Sequence, residues 1–84
     1  MALSNKHRKT LQAVYAVQAN VKFKDIERLI EALGGQIVER EGSRVHFRLN
    51  DVPATFHRPH PNPQAGRGAV RAIKDFLTTA EIKE

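Results

Sequence analysis

The chain has 84 residues, 40% hydrophobic and 27% charged, which is enough for one domain with a small core and too few for two. It contains no cysteine, so neither a disulfide framework nor a thiolate zinc site can form, in keeping with a reducing compartment. Fourteen Lys and Arg against nine Asp and Glu leave a net charge of +5, which favours a nucleic acid or an acidic protein as partner, a solubilising charge being the plainer alternative. No apolar run approaches the roughly 20 residues of a membrane span. The basic residues 1–9 have no apolar stretch behind them, as a signal peptide would. The expectation is a soluble cytoplasmic protein with no membrane partner.

Ser4 is the N-cap expected for a first helix over residues 5–17, where Leu11, Val14, Tyr15 and Val17 keep helical spacing. Lys6, Arg8 and Lys9 in its first turns oppose the helix dipole. Residues 19–22 read as a connector. A second helix starts at Phe23 or Lys24 and ends at Leu33, with Ile26, Leu29, Ile30 and Leu33 forming one apolar stripe. Asp25 and Glu27 suit its N-terminus, and Gly34-Gly35 ends it. Three strands follow. Residues 36–40 form the first, and a tight turn at Glu41-Gly42 leads into the second, residues 43–49. Asn50-Asp51 is a turn pair, and Pro53 confines the third strand, residues 54–58, to an edge or a late start. Pro59, Pro61 and Pro63 make residues 59–66 a stiff, extended loop. A last helix over residues 68–79 carries the apolar stripe Val70, Ile73, Phe76 and Leu77 and a basic stripe of Arg67, Arg71 and Lys74. Residues 80–84 are expected to fray.

This order predicts an α+β fold, α-α-β-β-β-α, in which helices cover one face of a three-stranded antiparallel sheet. Residues 1–21 read as an N-terminal helical extension and residues 22–84 as the functional unit, in one compact domain overall.

The other face of that sheet is the main candidate site. In Ser43-Arg44-Val45-His46-Phe47-Arg48-Leu49, Arg44, His46 and Arg48 leave one side of the strand and Val45, Phe47 and Leu49 the other. Thr55 and His57 of the third strand join the basic side. Two imidazoles and neighbouring arginines are the minimum apparatus for cutting RNA without a metal: one base, one acid, and a cation for the phosphorane. A solvated polar face with incidental histidines is the alternative. His57-Arg58-Pro59-His60 offers too few convergent ligands for zinc, so neither metal nor cofactor is expected. His60 is either a loop residue bonded to backbone or a phosphate contact. The stripe of Arg67, Arg71 and Lys74 is either a solvated helix face or a contact for RNA phosphates or an acidic partner. Phe23 and Tyr15 read as core. No aromatic residue lies on the basic face, which disfavours single-strand binding by stacking, and there is no Gly-rich phosphate loop and no nucleophile elbow.

Four segments in order are familiar: Asp25-Ile26-Glu27-Arg28-Leu29-Ile30-Glu31-Ala32-Leu33-Gly34, then Gly42-Ser43-Arg44-Val45-His46-Phe47, then Phe56-His57-Arg58-Pro59-His60-Pro61, then Gly68-Ala69-Val70-Arg71-Ala72-Ile73. Together, over residues 22–82, they resemble the HicA family of toxins. The resemblance implies a fold like a double-stranded-RNA-binding domain, an mRNA-cleaving activity that stops translation, and neutralisation by a HicB antitoxin. It implies mRNA and a HicB-like antitoxin as partners, with a homodimer or a hetero-oligomer both open. Family members commonly read Gly-Ser-His at the start of the second strand, and that histidine is the catalytic one. This chain has Arg44 there, and His46 stands two residues on, on the same face and about 6–7 Å along the strand. Either His46 has taken the catalytic role, with His57 as second proton carrier or RNA contact, or the chain binds RNA or its partner and cleaves poorly. Arg44, Arg48, Arg58, His60 and Arg71 are the candidate residues for binding RNA phosphates. A non-catalytic RNA-binding module, or an interaction domain whose basic face meets an acidic partner, are the readings from other classes.

Overall fold

Helical and alternating periodicities sort this chain into elements that a computed structural model, describing residues 3–59 and 64–84, assembles around one core. Helix α1 spans Asn5–Tyr15, and the N–H of His7 donates to the Ser4 hydroxyl at 3.2 Å, as the capping reading requires. The helix stops two residues short of the expected end. Val17 takes a left-handed φ of 51°, the N–H of Gln18 donates to the Ala13 carbonyl (3.0 Å), and that of Val17 to Val14 (2.9 Å). This is a Schellman ending built on a β-branched residue, which rarely adopts that conformation.

A two-residue strand, β1 (Val21–Lys22), leads directly into α2 (Phe23–Ala32). The ending of α2 is the same motif with glycine in place. Gly34 has φ 91°, and the N–H of Gly35 donates to the Ile30 carbonyl at 2.9 Å. Gly35 is required for a different reason. A Cβ there would lie 2.6 Å from Ile30 Cγ2, 2.9 Å from the Ile30 carbonyl and 3.0 Å from the Arg48 carbonyl. Two of these are backbone atoms and cannot rotate away, so Gly35→Ala should lower stability by about 1–3 kcal/mol, read as a shift in the urea midpoint. An unchanged midpoint would show that α2 and the sheet can separate without penalty.

The main sheet consists of β2 (Gln36–Glu39), β3 (Arg44–Leu49) and β4 (Val52–His57), antiparallel in the order β2-β3-β4. Residues 40–43 connect the first pair, a longer turn than Glu41-Gly42 alone, because Gly42 and Ser43 both have positive φ and Ser43 therefore cannot extend the strand. Asn50 (φ 50°) and Asp51 (φ 65°) form the expected two-residue turn between β3 and β4. The third strand starts at Val52, two residues before the expected point, and contains Pro53. The N–H of Arg58 donates to the Ser43 carbonyl at 2.8 Å, so even-numbered positions of β4 turn their amides toward β3. Pro53, at an odd position, lacks an N–H only on the outer edge, where it blocks further pairing.

A short strand after the proline segment, β5 (Gln64–Ala65), pairs with β1 in register Val21↔Ala65, so the expected connector at residues 19–22 is half of a small second sheet. Helix α3 (Arg67–Thr79) follows. Its end corrects the expectation of fraying. Ala80 is 1% exposed and Ile82 packs against the core. The N–H of Ile82 donates to the Leu77 carbonyl at 2.9 Å, the Tyr15 hydroxyl donates to the Ile82 carbonyl, and Asn50 Nδ2 donates to the Ala80 carbonyl at 2.8 Å.

Helix α2 packs on β2, α3 on β4, and α1 on both helices. Ile26, Leu29 and Ile30 of α2 meet Val45, Phe47 and Leu49 of β3 and Val70, Ile73 and Leu77 of α3, all at most 1% exposed. Leu11 and Val14 of α1 belong to the same cluster. Every helix is thereby on one side of the three-stranded sheet, and no described element covers the even-numbered side of β3.

Candidate functional site

Strand alternation builds the site. With Val45, Phe47 and Leu49 drawn into the core, Arg44, His46 and Arg48 must leave on the opposite side. Register then determines their neighbours. Arg44 lies opposite His57, His46 opposite Thr55 on one side and Val38 on the other, and Arg48 opposite Pro53 and Gln36. These eight positions include no acidic residue. The open face is therefore a basic surface with His46 at its centre and His57 at the end of its edge strand.

The pairing parity sets spacing within it. Because Ser43 and Arg58 form a hydrogen-bonded position, Arg44–His57 and His46–Thr55 are the close, non-hydrogen-bonded kind, with Cα atoms about 4.5 Å apart. His46 and His57 are diagonal neighbours on adjacent strands, about 7–8 Å apart. That separation allows the two imidazoles to approach different atoms of one phosphodiester.

His46 is half-buried, and its Nδ1 lies 3.2 Å from the Thr55 hydroxyl. A hydroxyl can donate or accept, so Thr55 serves either tautomer, and in both Nε2 remains for a second partner. Thr55 is the residue whose role was missed: alternation puts it on the face, but only the register sets its hydroxyl against this ring. Val38 is 45% exposed and flanks His46 from the edge strand, giving the imidazole an apolar wall. Arg44 is exposed, and its Nε donates to the Glu41 carbonyl at 3.1 Å, which leaves the two terminal nitrogens of its guanidinium available. Arg48 lies 3.7 Å from Asp51 across an exposed i,i+3 pair, an interaction too weakly held to neutralise it.

Two of the other suggested phosphate ligands, Arg58 and Arg71, are not on this face. Arg58 leaves β4 on the helix side and bridges Glu27 of α2 and Glu39 of β2, both at 2.5 Å. Its pKa is raised above an already high value, first by the hydrogen bond with Glu27 and then by that with Glu39. Arg71 is exposed on α3, in the helix layer. His60 lies outside the described residues. Phe23 is buried and Tyr15 half-buried against the core, as expected. Among the described residues no three His, Asp or Glu side chains converge as metal ligands would. No helix among them is long and apolar enough to cross a membrane.

Comparison with known families matches residues 23–82 to the model of the HicA toxin of bacterial toxin–antitoxin systems. The match starts at α2 and includes the whole three-stranded sheet and α3, and it leaves α1 outside. Comparison with curated proteins and with solved structures gives no match.

Proposed function

This chain belongs to the HicA toxin family of bacterial toxin–antitoxin systems, and from that premise we propose that it is a metal-independent endoribonuclease that cuts mRNA on the open face of its sheet. Membership makes it the toxin of such a pair and gives it an antitoxin as partner. The finer reading, cleavage of mRNA and neutralisation by a HicB-like antitoxin, is supported by one observation above the rest. His46, held at 3.2 Å by Thr55, stands between two arginines at paired strand positions that include no acidic residue, with His57 diagonal to it.

The proposed reaction needs no group outside this face. One imidazole takes the proton of a ribose 2′-hydroxyl, and the freed oxygen attacks the adjacent phosphorus. The bond from phosphorus to the 5′-oxygen breaks as the second imidazole donates a proton to that oxygen. The products are a 2′,3′-cyclic phosphate and a 5′-hydroxyl. Arg44 and Arg48 stabilise the added negative charge on the phosphorane and hold the backbone. In this reading His46 occupies the functional place of the family's histidine, whose position is Arg44 here. Helix α1, outside the family match, completes the core through Leu11 and Val14.

A second reading is favoured by one specific residue. With Arg44 at the family's histidine position, the face in this reading binds RNA phosphates without cutting. Purified protein incubated with labelled mRNA, with and without EDTA, separates the two. Cleavage at equal rates in both is expected. Intact RNA bound with a steep salt dependence is the result the non-catalytic module requires, because phosphate contacts release counterions.

A further inference from the structure

Arg58 follows His57 directly, and its contacts are all internal. Its guanidinium joins Glu27 on α2 to Glu39 on β2, and its backbone N–H is the last hydrogen bond between β4 and the turn before β3. Glu27 is the more buried partner, its side chain 16% exposed against 73% for Glu39. Phe23, Lys24 and Pro59 line the same cleft of about 400 Å³. One side chain therefore links three elements at the end of the sheet where His57 and Arg44 face each other. We infer that Arg58 is a positioning residue, an internal tie that holds the end of β4 so that His57 keeps its place beside Arg44, and not a ligand for RNA.

Three features support this. The guanidinium is on the helix side of the sheet, while its neighbour in sequence, His57, is on the open side. Two carboxylates already satisfy its charge, and two carboxylates beside a phosphate would repel it. The geometry also demands arginine, since a planar fork reaches two acceptors in different elements and a lysine ammonium, a point charge, does not replace it. The last backbone bond at this end of β4 among the described residues is the one that Arg58 itself makes.

The effect on cleavage rests on the ribonuclease reading, but the tie itself does not, and the test separates them. Amide hydrogen exchange is measured on the full chain for wild type, R58K and the double variant E27Q/E39Q, at position 58 and at Ala54. The Ala54 amide also faces β3 but lies at the far end of the strand. Loss of the tie should speed exchange at position 58 roughly tenfold in both variants and leave Ala54 unchanged, a local opening that general destabilisation would not produce. With RNA, both variants should lower kcat and leave KM nearly as it was. Wild-type exchange at position 58 in E27Q/E39Q would overturn the inference, as would equal acceleration at Ala54. Tighter RNA binding with undiminished kcat in the double variant would assign Arg58 to RNA instead. A wild type that neither cuts nor binds RNA would count against the ribonuclease reading alone, and exchange would still decide the tie.

Discussion

Phe47→Ala should destabilise the protein by about 3–5 kcal/mol, enough to leave a large fraction unfolded in a domain whose total stability is about 5–15 kcal/mol. Phe47 is fully buried, and its ring lies 5.2 Å from Phe56, 6.0 Å from Phe23 and 6.1 Å from Phe76, centre to centre. It thus joins β3 to β4, α2 and α3 at once. Truncation removes the apolar area and leaves a cavity that four elements cannot collapse to fill. Urea unfolding reads this directly. A loss under 1 kcal/mol would mean that the sheet is held by something other than this aromatic cluster. The position matters for function because Phe47 stands between His46 and Arg48, and the burial of its side chain is what turns theirs outward. Loss of activity in this variant would therefore report the fold and not the chemistry.

His46→Ala is the opposite case, with a large effect on chemistry and little on stability. The ring is on the solvent side of β3, and its one hydrogen-bond partner among the described residues is the Thr55 hydroxyl. Surface changes of this kind usually stay within about 0.5 kcal/mol. If His46 transfers a proton in the reaction, its removal should lower the cleavage rate about 10²–10⁴-fold, the usual contribution of a positioned acid or base. RNA affinity should change little, since Arg44 and Arg48 remain. A drop in affinity with an unchanged rate at saturating RNA would make His46 a binding residue and transfer the catalytic question to His57.

What the sequence made legible follows from the range of the forces involved. The open face was readable because strict alternation in residues 44–49 is a local signal with one geometric meaning. The stripe Ile26, Leu29, Ile30 and Leu33 and the pair Asn50-Asp51 worked for the same reason. Each miss depended on something distant. The pairing of Val21–Lys22 with Gln64–Ala65 involves two-residue strands, too short for any periodicity. Residues 80–82 carry no sign that Tyr15 and Asn50 hold them. Arg58 looks in sequence like one more cation beside a histidine, and only the fold shows Glu27 and Glu39 against it. Val17 and Glu81 end helices in the left-handed conformation, where a glycine would have announced the stop.

This contrast bears on the site itself. The residues of the basic face came from local alternation, and their grouping survives in the fold. Their relationships, Thr55 against His46 and His57 against Arg44, came from register. Catalysis in the proposed reading depends on the relationships, since a proton carrier is useful only within hydrogen-bond reach of its target. In the proposed reading the working imidazole is His46, one pleat repeat from Arg44 on the same face, where Thr55 is available to orient it.

The most direct test of His46 as the proton carrier is growth arrest on expression, wild type against His46→Ala, with circular dichroism confirming that the variant is folded. Arrest by wild type and normal growth with a folded His46→Ala is the predicted result. Equal arrest by both would contradict the assignment.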